Sequence, residues 1–223
     1  MGIGNILMLF QVTTYLLCTI FSFFVFAPMA VNKNGDFLGN CLLFATGSIV
    51  QEQIVISSWG PAGGCNFAIA VGVFAMLVSI AQLVRLSFHV YYETDSSFLG
   101  AFVTLIINAV MTIMVFASAI NVTRGYSVWC QLINQVSGCS VAGIIPEIWT
   151  LVVYNSGPNF KPDNYAVEIG MVMFGLWTEL LLWIVICIYS VVKLVKYHQQ
   201  EHIFRSLGRE RERLIGRYTQ PDF

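Results

Sequence analysis

The stretch ILMLFQVTTYLLCTIFSFFVFAPMAV, residues 6–31, decides the fold class of this chain. It contains no charged residue, and it exceeds the roughly 20 apolar residues that a helix needs to cross the hydrocarbon layer of a membrane. A spanning segment must satisfy its own backbone hydrogen bonds, which a helix does within one segment. We therefore predict a transmembrane helix here.

Three further apolar stretches follow, at residues 67–88, 98–120 and 167–192. The composition agrees with four spans, because 57% of the residues are hydrophobic and only 10% are charged, against about 25% charged in soluble domains. A transmembrane β-barrel would instead show short segments of alternating hydrophobicity. The prediction is an all-α membrane protein with a four-helix transmembrane domain at residues 1–198, outer loops at 32–66 and 121–166, and a cytosolic tail at 199–223.

Basic residues predict the orientation, since they concentrate on the cytosolic side of membrane proteins. With both termini in the cytosol, three basic residues fall outside, namely Lys33, Arg124 and Lys161. The cytosolic side then holds the other eight, namely Arg85, Lys193, Lys196, Arg205, Arg209, Arg211, Arg213 and Arg217. We therefore expect both termini in the cytosol. The plasma membrane is the expected location, although the basic residues do not distinguish it from a synaptic or internal membrane.

The cysteines favour the same orientation. Cys41 and Cys65 fall in the first outer loop, and Cys130 and Cys139 fall in the second, while Cys18 and Cys187 lie inside spans as inert thiols. Four loop cysteines allow three pairings. Pairing within each loop, Cys41–Cys65 and Cys130–Cys139, closes the shortest loops, and an oxidising outer face would keep both bonds. We predict a small disulfide-stapled extracellular cap.

Short β-strands are expected inside this cap. Residues 36–45 and 49–57 are β-prone runs on either side of Thr46-Gly47, which predicts a hairpin that turns there. In the second loop, residues 126–136 are expected to continue the third helix outward, and residues 147–154 are expected to form a strand.

Several motifs resemble one known family. The segment GDFLGNCLLF at residues 35–44, Trp59-Gly60-Pro61 before Cys65, Trp129-Cys130, and Phe174-Gly175-Leu176-Trp177 are similar to the transmembrane protein 179 family. The resemblance implies a tetraspan membrane protein, prominent in nervous tissue and without established catalytic activity. The layout also resembles the claudin-like tetraspans, although their first-loop pattern of Trp, Gly-Leu-Trp and two cysteines is not found here, so that likeness is one of architecture.

Little in the sequence points to catalysis. His198-Gln199-Gln200-Glu201-His202 matches the H-x-x-E-H string of one zinc peptidase class. A catalytic zinc needs a third ligand and a walled cleft, whereas this string sits in a juxtamembrane tail. We predict a solvated helix face there, no enzyme activity, no metal and no other cofactor.

Glu179 is the most costly residue of the fourth stretch, because a charge near the bilayer centre costs about 3 kcal/mol on insertion scales. We predict an intramembrane polar contact between Glu179 and Asn108, with a protonated carboxyl acting between helices. Two alternatives are a link to a partner's transmembrane helix and a proton or ion relay. Gln11, Thr14 and Gln82 are expected to form a second polar layer near the cytosolic ends.

Two features concern packing and modification. Gly64, Ala68 and Gly72 form a helix-packing face of small residues, which lets helices approach closely. Packing within the bundle is favoured over dimerisation through this face. Asn121 begins the sequon Asn121-Val122-Thr123, but it adjoins the membrane, so we expect no glycan there.

The function predicted from these observations is a non-catalytic tetraspan. We expect an auxiliary subunit that binds a channel or receptor within the membrane and modulates its assembly, trafficking or gating. Its partners would be membrane lipids and another integral membrane protein, with no nucleic acid. The alternative is a small ion or proton transporter that uses Glu179.

Overall fold

The computed structural model describes residues 3–50, 53–91, 98–133, 151–153 and 165–218. Four long helices dominate these ranges: α1 (Ile3–Val31), α2 (Ala62–Tyr91), α3 (Phe98–Ile133) and α4 (Tyr165–Tyr218). Four described stretches are long and apolar enough to cross a membrane. Ala62–Phe88, Leu99–Gln131 and Val167–Lys196 lie within α2, α3 and α4, whereas Leu9–Gly35 continues from α1 into the turn that follows it. The chain is a multi-pass membrane protein, as predicted.

The helices are longer than the apolar stretches that predict them. The third helix continues from the expected end at residue 120 to Ile133, which agrees with the predicted outward continuation as far as the described residues reach. The fourth continues well past residue 192, to Tyr218. Hydropathy marks only the part of a helix that lies in lipid, whereas backbone hydrogen bonding continues into water.

Outside the bundle, the described residues form a small sheet of three strands. A short π-helical turn at Asn32–Asp36 leads from α1 to strands β1 (Cys41–Val50) and β2 (Gln53–Gly60), which pair antiparallel. A third strand, β3 (Leu151–Val153), pairs parallel with β2 and lies inside the strand predicted at residues 147–154. The rest of that predicted strand falls outside the described residues.

The predicted turn at Thr46-Gly47 is wrong, because both residues lie within β1. The pairing register shifts between Cys41 and Thr46 and again between Thr46 and Gly47, so this stretch is an irregularity inside the strand. A Cβ atom on Gly47 would overlap the carbonyl oxygen of Val55 across the pair. Glycine at this position permits the two strands to approach closely. A glycine that serves this purpose cannot be distinguished in the sequence from a glycine in a turn.

The core runs continuously from the bundle into the cap. The largest fully buried side chains include Tyr15 and Trp183 between α1 and α4, and Phe37, Trp129 and Tyr165 beneath the sheet. The outward faces of the helices carry exposed apolar side chains, such as Phe74, Ile113, Leu181 and Ile188. Lipid is therefore the surrounding solvent of the bundle.

Candidate functional site

Glu179 lies fully buried between α1 and α4, near the middle of the fourth span. The Ser22 hydroxyl donates to its Oε1 at 2.7 Å, and the Trp183 indole N–H approaches the same oxygen at 3.4 Å. Its second oxygen, Oε2, is buried and has no partner within the described residues. The carboxyl is thus held on one side by two donors while its other oxygen is unsatisfied.

Asn108 lies in a different layer of the bundle. The Tyr15 hydroxyl donates to its Oδ1 at 3.0 Å, and its Nδ2 donates to the Ser190 hydroxyl at 2.9 Å. All three side chains are buried. This chain of hydrogen bonds joins α1, α3 and α4 at one level.

The predicted contact between Glu179 and Asn108 is therefore wrong. Asn108 pairs with Ser190, which lies about 16 Å along the axis of α4 from Glu179 at 1.5 Å per residue. The prediction matched depths by counting from the ends of the apolar stretches. That count misleads because it takes no account of how far one helix is shifted along the axis of its neighbour.

Four residues of these layers escaped the sequence analysis: Tyr15, Ser22, Trp183 and Ser190. None carries a charge, and all four lie within predominantly apolar stretches. One signal was available, because Trp183 follows Glu179 by four residues and side chains at that spacing share a helix face. The hydrogen-bond partners on other helices depend on how the helices pack against each other. The residue pattern of one segment does not determine that packing.

The expected second polar layer is present only in part. Gln11 and Gln82 line the same pocket at the end of the bundle opposite the sheet. Thr14 is buried as well, but its hydroxyl donates to the Phe10 carbonyl of its own helix at 2.7 Å. Back-bonding of this kind is common for threonine in apolar helices.

The small residues of α2 pack inside the bundle and contact two different neighbours. A Cβ on Gly72 would lie 3.0 Å from the Cβ of Phe26 and 3.1 Å from its backbone nitrogen, so α1 approaches closely there. Ala68 is fully buried. At Gly64 the neighbour is α3, since Asn121 Nδ2 donates to the Gly64 carbonyl at 3.0 Å.

Gly72→Leu is expected to destabilise the bundle by about 1–3 kcal/mol, because the added side chain would displace the backbone of α1. Gly170→Leu is the matched control, since a Cβ there meets nothing within 4 Å. Thermal unfolding in detergent, followed by tryptophan fluorescence, measures both. Equal unfolding temperatures for the two variants would contradict the close packing at Gly72.

A disulfide holds the cap to the bundle. Cys41 begins β1 and Cys65 lies in the first turn of α2, and the two are bonded as predicted, with Cα atoms 5.9 Å apart. Cys130 is also disulfide-bonded, whereas its predicted partner Cys139 lies outside the described residues. Cys18 and Cys187 are free thiols.

These features coincide in one known family. The model of the Transmembrane protein 179/179B claudin domain matches residues 7–215, which is nearly the whole chain. The chain belongs to this family. No solved structure matches it. The claudin-like relation, which the sequence suggested only by layout, is thus part of the family's own description.

Three of the four motifs that resemble the transmembrane protein 179 family lie at the junction of cap and bundle, and the fourth, Phe174–Trp177, lies within the span of α4. The ring of Phe37 lies 6.0 Å from Trp59 and 5.9 Å from Tyr165, and Tyr165 lies 6.2 Å from Trp129. A Cβ on Gly60 would overlap the carbonyl oxygen of Leu43. Burial raises the pKa of the Tyr165 phenol far above its ordinary value, so this cluster is neutral at physiological pH.

Two residues within the claudin domain depart from the backbone conformation usual for their type. Leu38 has a φ of 49° and Phe44 a φ of 66°, both in the left-handed region. Phe44 is partly buried, and its ring packs close to Gly125 of α3. Leu38 is 66% exposed, so burial does not explain why an apolar residue occupies that conformation.

Two sequence motifs of the family member remain predictions. The amide of Asn121 is engaged with Gly64 inside the bundle, which favours the expected lack of a glycan at this position. His198 is exposed on α4, but the side chains of Glu201 and His202 lie outside the described part of the chain.

Proposed function

We propose that this tetraspan is a non-catalytic auxiliary subunit that binds another integral membrane protein, a channel or a receptor, in the plasma membrane. The observation that carries the proposal is Leu38 of the cap. A left-handed conformation costs about 1–2 kcal/mol for an L-residue with a side chain. Strain of this kind persists where the surrounding structure enforces it and is often found at functional sites, and here it accompanies a large, exposed apolar side chain on the cap.

The construction of the cap supports this role. The disulfide, the aromatic cluster and the packing of β1 against α3 fix the position of Leu38 relative to the bundle. A preorganised surface binds with a smaller entropic cost than a flexible loop. Full burial of a leucine side chain in an interface would contribute about 1.5–3 kcal/mol.

Co-purification of the full chain from native membranes in mild detergent tests the proposal. We expect a stoichiometric integral membrane partner with the wild type and its loss with Leu38→Asn. Asparagine tolerates the left-handed conformation, so this variant should fold at least as well as the wild type. Ser48→Asn, at an exposed position of β1, is the matched control. Equal recovery of the partner by both variants would reject Leu38 as the contact.

Topology is a separate prediction, since the proposed role needs the cap outside the cell. Epitope tags at both ends of the chain should be shielded in intact cells and become accessible after permeabilisation. The reason is the excess of basic residues at the end of the bundle opposite the cap. Surface staining of a C-terminal tag in intact cells would reverse the assignment.

A transporter is the second candidate, favoured by the unsatisfied Oε2 of Glu179. The hydroxyls of Ser79 and Ser118 are likewise buried and without partners among the described residues. In most proteins a buried polar group of this kind forms a hydrogen bond with water or a side chain, or contacts an ion. Proton or cation flux into liposomes containing only the purified wild type, abolished by Glu179→Gln, would place this function first.

A further inference from the structure

A polar pocket opens between the helices at the end of the bundle opposite the cap. It measures about 310 Å³ including its open mouth, and its enclosed part has room for about one water-sized group. The polar residues of its wall come from all four helices: Gln11, Tyr15, Gln82, Arg85, Thr104, Ser190 and Lys193. Two of them are cationic and none is acidic.

Two amide side chains contribute to the wall of this pocket. Gln11 and Gln82 are each only 6% exposed, and both line the pocket. Buried polar groups are nearly always paired, with protein or with a bound molecule. Two amides beside two cationic side chains therefore favour a polar, anionic occupant.

Hydrogen bonds at the floor and at the rim of the pocket hold the surrounding donor groups in position. Asn108 holds Tyr15 and Ser190 in place, as described above, so the Ser190 hydroxyl accepts a hydrogen bond and can still donate its own proton. At the rim, Arg85 donates from one Nη to the Gly100 carbonyl at 3.3 Å. A guanidinium has five N–H donors in a planar fork, so this bond positions the group and leaves further donors.

We propose that this pocket binds a phosphate group, supplied by an anionic lipid of the adjacent leaflet. A forked guanidinium, an ammonium and amide donors together match the oxygens of a phosphate. Basic pockets between transmembrane helices on the cytosolic side recognise lipid head groups in this way. The enclosed part suits one phosphate oxygen, and the open mouth lets the rest of the head group extend to the membrane surface.

The identity of the source depends on the proposed orientation, whereas the phosphate site does not. Anionic lipids are concentrated in the cytosolic leaflet, which the pocket faces if both termini are cytosolic. A soluble phosphate compound shares the same chemistry. The two sources are separated by testing a lipid and free phosphate against the same protein.

The test uses the full chain in neutral detergent at constant ionic strength. A short-chain phosphatidylinositol bisphosphate and inorganic phosphate are titrated separately, and binding is read from the thermal unfolding midpoint by tryptophan fluorescence. We expect saturable stabilisation by the lipid. Arg85→Gln should weaken it at least about tenfold, as expected for a lost charged hydrogen bond.

The controls separate a site from general charge attraction. Lys196→Gln removes the same charge from an exposed residue that does not line the pocket, and its affinity should stay within about twofold of the wild type. Gln82→Leu removes a donor without changing charge and should weaken binding severalfold. It also serves if Arg85→Gln does not fold. Saturation by inorganic phosphate as strong as that by the lipid would assign the site to a soluble phosphate.

The proposal is overturned by any of three results. The first is no saturable stabilisation by either ligand. The second is an equal loss in Arg85→Gln and Lys196→Gln, which would reflect surface charge alone. The third is unchanged binding in Gln82→Leu, which would place the ligand outside the pocket.

Discussion

Glu179→Lys is expected to leave the protein inside the cell and to prevent its surface expression. A lysine at this depth places a positive charge in the bilayer centre, at a cost of about 3 kcal/mol on insertion scales. It also replaces an acceptor by a donor opposite the Ser22 hydroxyl and the Trp183 indole N–H, both of which now point at Glu179 Oε1. Each buried donor left without an acceptor adds about 1–3 kcal/mol.

Glu179→Gln is the matched control for shape. Its amide oxygen can accept from Ser22 and Trp183 as Oε1 does, so folding and surface level should be retained. Glu179→Leu should have an intermediate effect of about 1 kcal/mol, in the range measured for hydrogen bonds between helices in membranes. Ser22 has an alternative acceptor, because its hydroxyl also lies 2.8 Å from the Cys18 carbonyl.

Surface biotinylation and the unfolding temperature of the purified variants measure this series. The expected order of stability is wild type close to Gln, then Leu, then Lys. Normal surface expression of Glu179→Lys would show that the side chain reaches water, which contradicts a sealed polar layer. If Glu179→Gln folds normally but abolishes proton or cation flux into liposomes, the transporter hypothesis would be favoured.

The Cys41–Cys65 disulfide is expected to have the second large effect. The two cysteines are separated by 24 positions in the sequence, and the loop-entropy relation gives about 3–4 kcal/mol for a loop of this size. Losing this bond should separate the start of β1 from α2 and impair export. Cys41→Ser and Cys65→Ser should each reduce the surface level strongly.

Single and double variants distinguish the bond from the individual thiols. Cys41→Ser/Cys65→Ser should be no worse than either single variant, because the bond is already lost in each. Cys187→Ala serves as the control, since this thiol is free. A fully exported double variant, or a peptide linking Cys41 to Cys130 in the mass spectrum of the non-reduced protein, would refute the assignment.

Elements built from local pattern were predictable from the sequence. Four apolar stretches located the four helices, and loop lengths selected the Cys41–Cys65 bond. The outer part of α3 was predicted in part. The continuation expected at residues 126–136 is helical as far as Ile133, whereas residues 121–125, assigned to the outer loop, are helical as well. Hydropathy indicates which part of a helix is apolar enough to lie in the membrane, and it does not indicate where the helix ends.

The partners of buried polar groups were predicted less well. The sequence marked Glu179 and Asn108 as costly in lipid, and both are fully buried and hydrogen-bonded. Their pairing was wrong because it depends on how far each helix slides along its neighbour. A slide of one helical turn is about 5.4 Å, which is enough to exchange every partner. Contacts between helices determine this offset, so it cannot be predicted from the sequence of any one helix alone.

The length of α4 has a consequence for what can reach its far end. The helix is continuous to Tyr218, whereas its apolar span ends at Lys196, so about 33 Å of helix follows at 1.5 Å per residue. Electrostatic attraction to lipid head groups fades over a Debye length of about 8 Å. A helix that keeps its direction therefore carries its last arginines beyond the range of the lipid head groups. A partner that binds them must have a part outside the membrane about as tall as the helix itself.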